Sequence, residues 1–225
     1  MKDLNKKVFG SLFLLLVAMA GALFLPAWTL NYWQAWLFLG VYGMSGLVII
    51  AYLMIKNPQL LERRMHGGPT AEKRTTQKII MSIESTGFAA ILIVSAFDRR
   101  FHWSTVPFYI AIAGDLLIIF GWTIVFFAFK ENSFASATIE LAVDQKVIST
   151  GPYAIVRHPM YAGSFMYFLG IPVALGSWCG LLLILLTIPA MVWRLFDEEK
   201  FLKENLPGYA EYCEKVRFRL IPFVW

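Results

Sequence analysis

Two short stretches of this chain hold side chains of the kinds that chemistry needs, at spacings that chemistry can use. The first runs Gly151-Pro152-Tyr153 and then Arg157-His158-Pro159-Met160-Tyr161. Gly-Pro enforces a turn, and Pro159 confines His158 to an extended backbone while itself fitting the first turn of a helix. An irregular loop therefore feeds straight into a helix N-terminus, where backbone amides lack partners and are open to a ligand. The second stretch is Trp193-Arg194-Leu195-Phe196-Asp197-Glu198-Glu199. Arg194 and Glu198 are four apart and share one helical face. A pair in this order stabilises a helix by only about 0.3–0.5 kcal/mol, so Arg194 reads more usefully as a receptor for an anionic group. For Arg157 alone the plain alternative is a cation snorkelling at a membrane edge. Interfacial anchoring, however, does not need a histidine held between two constrained residues.

The elements that position these stretches are apolar helices. The chain of 225 residues is 58% hydrophobic and 16% charged, against roughly 25% charged in soluble domains. Its charges gather between long apolar runs, Val8–Leu25, Trp33–Ile55, Ile79–Phe97 and Pro107–Phe129. A membrane-crossing helix takes roughly 20 apolar residues, so these four span. Two further runs, Met160–Gly176 and Trp178–Trp193, are short and contain Gly163, Gly170, Pro172 and Pro189. They predict a kinked helical hairpin that need not cross the full thickness. The fold class is thus all-α, a polytopic integral membrane helical bundle of about six spans with a C-terminal kinked helical hairpin. Residues 1–225 are expected to form a single membrane domain. Residues 1–130 supply four transmembrane helices; residues 131–225 supply a polar loop (the cofactor-binding loop under the resemblance given below), the hairpin and a cytoplasmic C-terminal segment.

Orientation follows from the cations. Eighteen of the 20 lysines and arginines fall at the termini and on one set of connections, from Lys2, Lys6 and Lys7 to Arg217 and Arg219. Only Arg99 and Arg100 fall on the other set. Both termini are therefore expected in the cytoplasm, with Trp28, Trp33, Trp103 and Trp178 near the outer interface. The first apolar run is read as a retained span rather than a signal peptide, because an even span count needs it. The net charge of +5 is then an orientation signal; no basic stripe with interleaved aromatics points to nucleic acid. Cys179 and Cys213 fall on opposite sides of the membrane, so no disulfide joins them, and two cysteines alone do not make a structural zinc site. No metal is expected. Glu84 and Asp115 lie within spans, where acids are functional candidates by default, but neither receives a role.

Taken in order around a hairpin, Gly151-Pro152-Tyr153, Arg157-His158-Pro159-Met160-Tyr161 and Arg194 with Glu198-Glu199 resemble the isoprenylcysteine carboxyl methyltransferase family. That family stands with the phospholipid methyltransferases among membrane-embedded methyltransferases. Leu206-Pro207-Gly208-Tyr209, Tyr212 and Arg219-Leu220-Ile221-Pro222 are similar to its closing segment, and the likeness covers roughly residues 132–225. The resemblance implies binding of S-adenosylmethionine from the cytosol. Gln145, Lys146, Val147, Ile148, Tyr153, His158, Pro159, Met160, Tyr161 and Glu198 would line its site, and Arg194 matches the family's substrate-contacting arginine.

The implied activity is methyl transfer to a lipophilic small-molecule or lipidated acceptor, reached from membrane lipid. A carboxylate acceptor is ionised at neutral pH and needs no base, and a guanidinium grips it with two parallel bonds, which favours carboxyl O-methylation. An amine acceptor, such as a phospholipid head group, needs a base, for which His158 is the candidate. A membrane lipid reductase using NADPH, and a non-catalytic membrane component, stand as alternatives. The soluble dinucleotide fingerprint G-x-G-x-x-G is missing from the sequence.

Overall fold

The computed structural model describes residues 2–225, with side chains from residue 4 onward; the Lys2 side chain, counted above for orientation, lies outside that range. The architecture is all-helical. Four long helices come first, interrupted by one short one: α1 (Lys2–Ala27), α2 (Trp33–Lys56), α3 (Pro58–Met65), α4 (Thr75–Phe101) and α5 (Phe108–Glu131). An irregular stretch with one 3-10 turn (Gly151–Ala154) leads to α6 (Pro159–Ala174), α7 (Trp178–Asn205) and α8 (Tyr209–Lys215). Among the described residues, α1, α2, α4, α5 and α7 are long and apolar enough to cross a membrane. The chain is a multi-pass integral membrane protein.

The second arm of the hairpin departs from the reading above. Helix α7 has 28 residues, long and apolar enough to cross in full, and it continues through Arg194–Glu199 without a break. The polar turns are the end of a span, not the beginning of a separate segment. Helix α6 is short, at 16 residues or about 24 Å. Its C-terminal end is nonetheless fixed among the far ends of its neighbours: the buried Tyr32 hydroxyl donates to the Leu175 carbonyl at 2.7 Å. The missing length therefore falls at the His158 end, and a cavity occupies it.

Glycines explain how α6 is held. Gly114 and Gly121 on α5, and Gly163 and Gly170 on α6, each stand seven residues apart, two turns along one face. A Cβ at Gly121 would collide with the Gly163 carbonyl and the Tyr167 backbone, and one at Gly170 with the Gly114 carbonyl and Ile118. Backbones of α5 and α6 thus meet directly, as small residues permit in membranes where apolar burial drives no association. The glycines expected to kink α6 are packing residues instead.

At the end opposite the cavity, buried Asp98 accepts from the Ser177 hydroxyl at 2.5 Å and from the Ser104 hydroxyl at 2.6 Å. This ties α4 to the hairpin tip. Arg99 and Arg100 lie over the rings of Tyr32 and Trp28 beside it.

Candidate functional site

Local sequence chemistry sets up the loop and helix start. Gly151 sits at φ 55°, where a side chain is strained and where the Glu131 side chain would in any case meet a Cβ. Pro152 opens the 3-10 turn, and His158 caps α6 with Pro159 in its first turn. The tail then straps this segment: Arg157 and His158 amides donate to the carbonyls of Phe218 and Arg219, both at 2.9 Å.

Beneath the strap lies a buried ionic network. Glu199 accepts from Arg157 Nε at 2.6 Å and from Arg219 Nε at 3.1 Å, and stands 3.2 Å from His158 Nε2. Arg157 also donates to the carbonyls of Val216 and Arg217. Arg157, His158 and Glu199 are all buried. Arg157 is therefore a cross-link between loop, α7 and tail rather than a cation snorkelling at an interface. His158 has its Nε2 committed to Glu199.

The two sequence stretches meet in space. The Tyr161 hydroxyl donates to Glu198 at 2.5 Å, and both border a cavity of about 290 Å³, near the lower limit for a small-molecule site. Gln145, Lys146, Val147 and Ile148 wall it from the loop; Tyr153, His158, Pro159, Met160 and Tyr161 from the helix start; Arg194 and Glu198 from α7. All the residues that the resemblance assigned to the site thus border one space. Tyr209 and Tyr212 close it from the tail.

Cavity polarity is uneven. The Tyr209 hydroxyl is buried without a partner, and no acceptor among the described residues takes the amide hydrogens of Val147 or Ile148. Of these donors the Tyr209 hydroxyl is buried and the two amides belong to half-buried residues; an orphaned buried hydroxyl is a group that a ligand can satisfy. Burial pushes the phenols of Tyr209 and Tyr212 upward, and that of Tyr153 to about 12, so all three stay neutral. At the loop rim, the hydrogen bond from Lys73 at 3.1 Å holds the Glu140 carboxyl below its usual range.

Arg194 is not the open receptor the sequence suggested. Its Nη1 donates to Gln77 at 2.7 Å, and its Nη2 to Glu72 at 2.9 Å and to the Ala137 carbonyl at 3.1 Å. The near-completely buried Glu72 neutralises it. Asp197, one turn on, pairs with Arg74 at 2.8 Å and with Gln77. Sequence reasoning missed Glu72 and Gln77 because they lie more than a hundred residues upstream of Arg194; nothing in local spacing links them to it. Glu84, left without a role above, borders the cavity, as does Arg64 from α3. Asp115 does not; it is buried in α5 with neither carboxylate oxygen partnered.

Across the wall formed by Thr187, a second and largely apolar groove runs along α4 and α7, lined by Ile83, Gly87, Ala90, Leu183 and Leu186. Thr187 borders both spaces. Gly87 faces its methyl group, and a Cβ there would displace it. Among the described residues no group of His, Cys, Asp or Glu has a metal-holding arrangement.

Comparison with known proteins follows this geometry. Residues 109–207 match the model of the family described as phospholipid methyltransferase, which is related to the isoprenylcysteine carboxyl methyltransferases. The matched region holds α5, the loop and the whole hairpin. It supports a membrane methyltransferase. The chain is also 30% identical over 91 residues to "Delta(14)-sterol reductase TM7SF2" of Mus musculus, covering 39% of this chain and 22% of that protein. The chain thus matches less than a quarter of that relative's length.

Proposed function

We propose that this chain methylates a lipophilic acceptor from S-adenosylmethionine at the cytoplasmic membrane face, and that the accepting atom is a carboxylate oxygen. The observation carrying this reading is the shared cavity: the bend before Pro159 and the last turns of α7 wall one space, and Thr187 stands between it and the apolar groove along α4 and α7. When bound, the sulfonium compound supplies an electrophilic methyl carbon. An ionised acceptor oxygen would take that methyl group without a base, so the residues of this chain have only to hold and align the two reactants.

The protein residues supply the surroundings. Glu198, buttressed by Tyr161, accepts from the cofactor's ammonium or ribose; the free amides of Val147 and Ile148 and the Tyr209 hydroxyl meet its polar edges. Tyr153 and Tyr161 offer ring faces to a flat base or a cation. Enclosure by tail, loop and hairpin excludes water, and aligning two reactants supplies much of the acceleration in such a displacement. Arg194, paired with Glu72, holds the wall facing the acceptor and lends it a fixed dipole rather than a vacant fork. Glu199 takes His158 Nε2 and leaves Nδ1 as the basic nitrogen of the ring, so His158 by itself does not decide between a carboxylate and an amine acceptor.

Amine methylation is the second reading. It draws on the description of the matched family and on Glu84, which borders the cavity with no hydrogen-bond partner and could take a proton. Lipid reduction is the third, resting on the sterol reductase likeness alone. Membranes containing the protein should incorporate radiolabel from methyl-labelled S-adenosylmethionine into lipid extract, released as methanol by mild base. Base-stable label would overturn the carboxylate in favour of an amine. Binding of NADPH with no binding of S-adenosylmethionine would overturn methyl transfer itself.

A further inference from the structure

The cavity contains an arginine that no part of this scheme uses. Arg64 ends α3, a helix built to fix its place. Asn57 Oδ1 accepts from the Leu60 amide at 3.0 Å, Pro58 opens the helix, and Leu60 and Leu61 are buried. Its neighbour Arg63 already tethers the loop through the Ser133 carbonyl at 2.9 Å. Arg64 spends only Nη1, on the Ser136 carbonyl at 2.9 Å and beside Met160 Sδ at 4.0 Å. Its Nε and Nη2 have no acceptor among the described residues, and no carboxylate pairs with it. A guanidinium offers five N–H donors, so most of this one is unspent.

Surroundings say which ligand it faces. The guanidinium stands 4.9 Å over the Phe129 ring, and Tyr153, Tyr161, Tyr167, Glu84, Glu198 and Arg194 border the same cavity. Phe129 and Tyr167 belong to the α5–α6 wall of the helical bundle, whereas Val147, Ile148 and Tyr209 belong to the loop and tail. Glu72 neutralises Arg194, and among the described residues no carboxylate forms an ion pair with Arg64.

We infer that Arg64 binds the anionic group of the acceptor, a carboxylate or phosphate monoanion carried on an apolar chain, by a two-bond fork from Nε and Nη2. This deepens the methyltransferase reading by naming the acceptor's charged group, and it rests on that reading only for what happens after binding.

Full-length protein in lipid nanodiscs tests it with three probes: dodecanoate, dodecyl phosphate and inorganic phosphate. Each is titrated against wild type, Arg64→Gln and Arg64→Lys, alongside S-adenosylmethionine, with melting temperature recorded for every variant. Wild type should bind at least one dodecyl probe. Arg64→Gln should weaken that binding by about 10- to 100-fold, the loss expected for charge-assisted hydrogen bonds. Arg64→Lys should lose part of it, and S-adenosylmethionine affinity should change by less than about threefold, within the error of an uninvolved site. Preference for dodecanoate or dodecyl phosphate identifies the group. Inorganic phosphate competing as well as dodecyl phosphate would show a free-anion site and overturn the lipid assignment. Loss of S-adenosylmethionine binding with probe binding intact would make Arg64 a cofactor ligand and overturn the inference. Unchanged probe binding in Arg64→Gln would leave it a loop tether only. Should Arg64→Gln melt early, Arg64→Lys, which keeps the Ser136 bond, decides. Wild type that binds a dodecyl probe but not S-adenosylmethionine would fail the methyltransferase reading and leave the anion site standing.

Discussion

Glu199 gathers three cationic or imidazole partners while being almost wholly buried. Its worth lies in what its loss would strand, since a buried pair broken on one side leaves the other charge without compensation. Glu199→Gln should therefore destabilise the protein by about 3–5 kcal/mol, read as the shift in a denaturation midpoint in detergent. The double variant Arg157→Met with Glu199→Met should recover part of that loss, because two apolar groups need no partner. A double variant as unstable as Glu199→Gln would show that Arg219 and the tail carbonyls, not the Arg157 pair, bear the energy. Glu198, one residue earlier, has a different position: half-buried, bonded to Tyr161 and bordering the cavity. Adjacent acids on one helix face opposite tasks because successive residues turn by about 100°.

Helix α6 is where sequence, packing and function meet most closely. Its four-point glycine contact with α5 sets how far α6 slides along its partner, and hence where Pro159 and Tyr161 stand. Replacing Gly121 with Leu forces side-chain atoms into the Gly163 and Tyr167 backbone, a strain of about 1–3 kcal/mol. The expected outcome is a lower melting temperature together with weakened S-adenosylmethionine binding, since the helix start moves with the interface. Gly10→Leu is the control, because nothing lies within 4 Å of a Cβ there. Equal effects at both positions would refute the packing account. Helix α3 has a parallel task on the other side of the cavity, holding Arg63 and Arg64 over residues 133–136.

Across the molecule, chemistry is confined to one end and a polar clasp of Asp98, Ser104 and Ser177 to the other. On the cation distribution we propose that the cavity end faces the cytoplasm, and the two free cysteines offer a test. Cys213 in α8 should react with a membrane-impermeant maleimide only after permeabilisation of cells, and Cys179 near the hairpin tip from outside. Burial raises the Cys213 thiol, so less of it is thiolate at neutral pH. Its labelling rate should keep climbing with pH beyond the range in which an ordinary thiol has levelled off. Labelling of Cys213 from outside intact cells would invert the topology.

Membrane class and the residues bordering the cavity were legible in the chain, because each is written in local terms. Of the six spans expected, five helices among the described residues are long and apolar enough to cross, and α6 falls short. Apolar runs have a length, prolines restrict their neighbours, and the motifs on either side of the hairpin keep a fixed order. The Gly114–Gly121 and Gly163–Gly170 spacings were equally visible, but their meaning depended on facing each other. Tertiary structure alone decided which charges are spent. Arg194 is matched by Glu72 and Gln77 from a distant loop, Arg157 by Glu199 and the tail, and Arg64 by no acid. Pairing of charges is set by distances across the fold, which a list of residues does not contain.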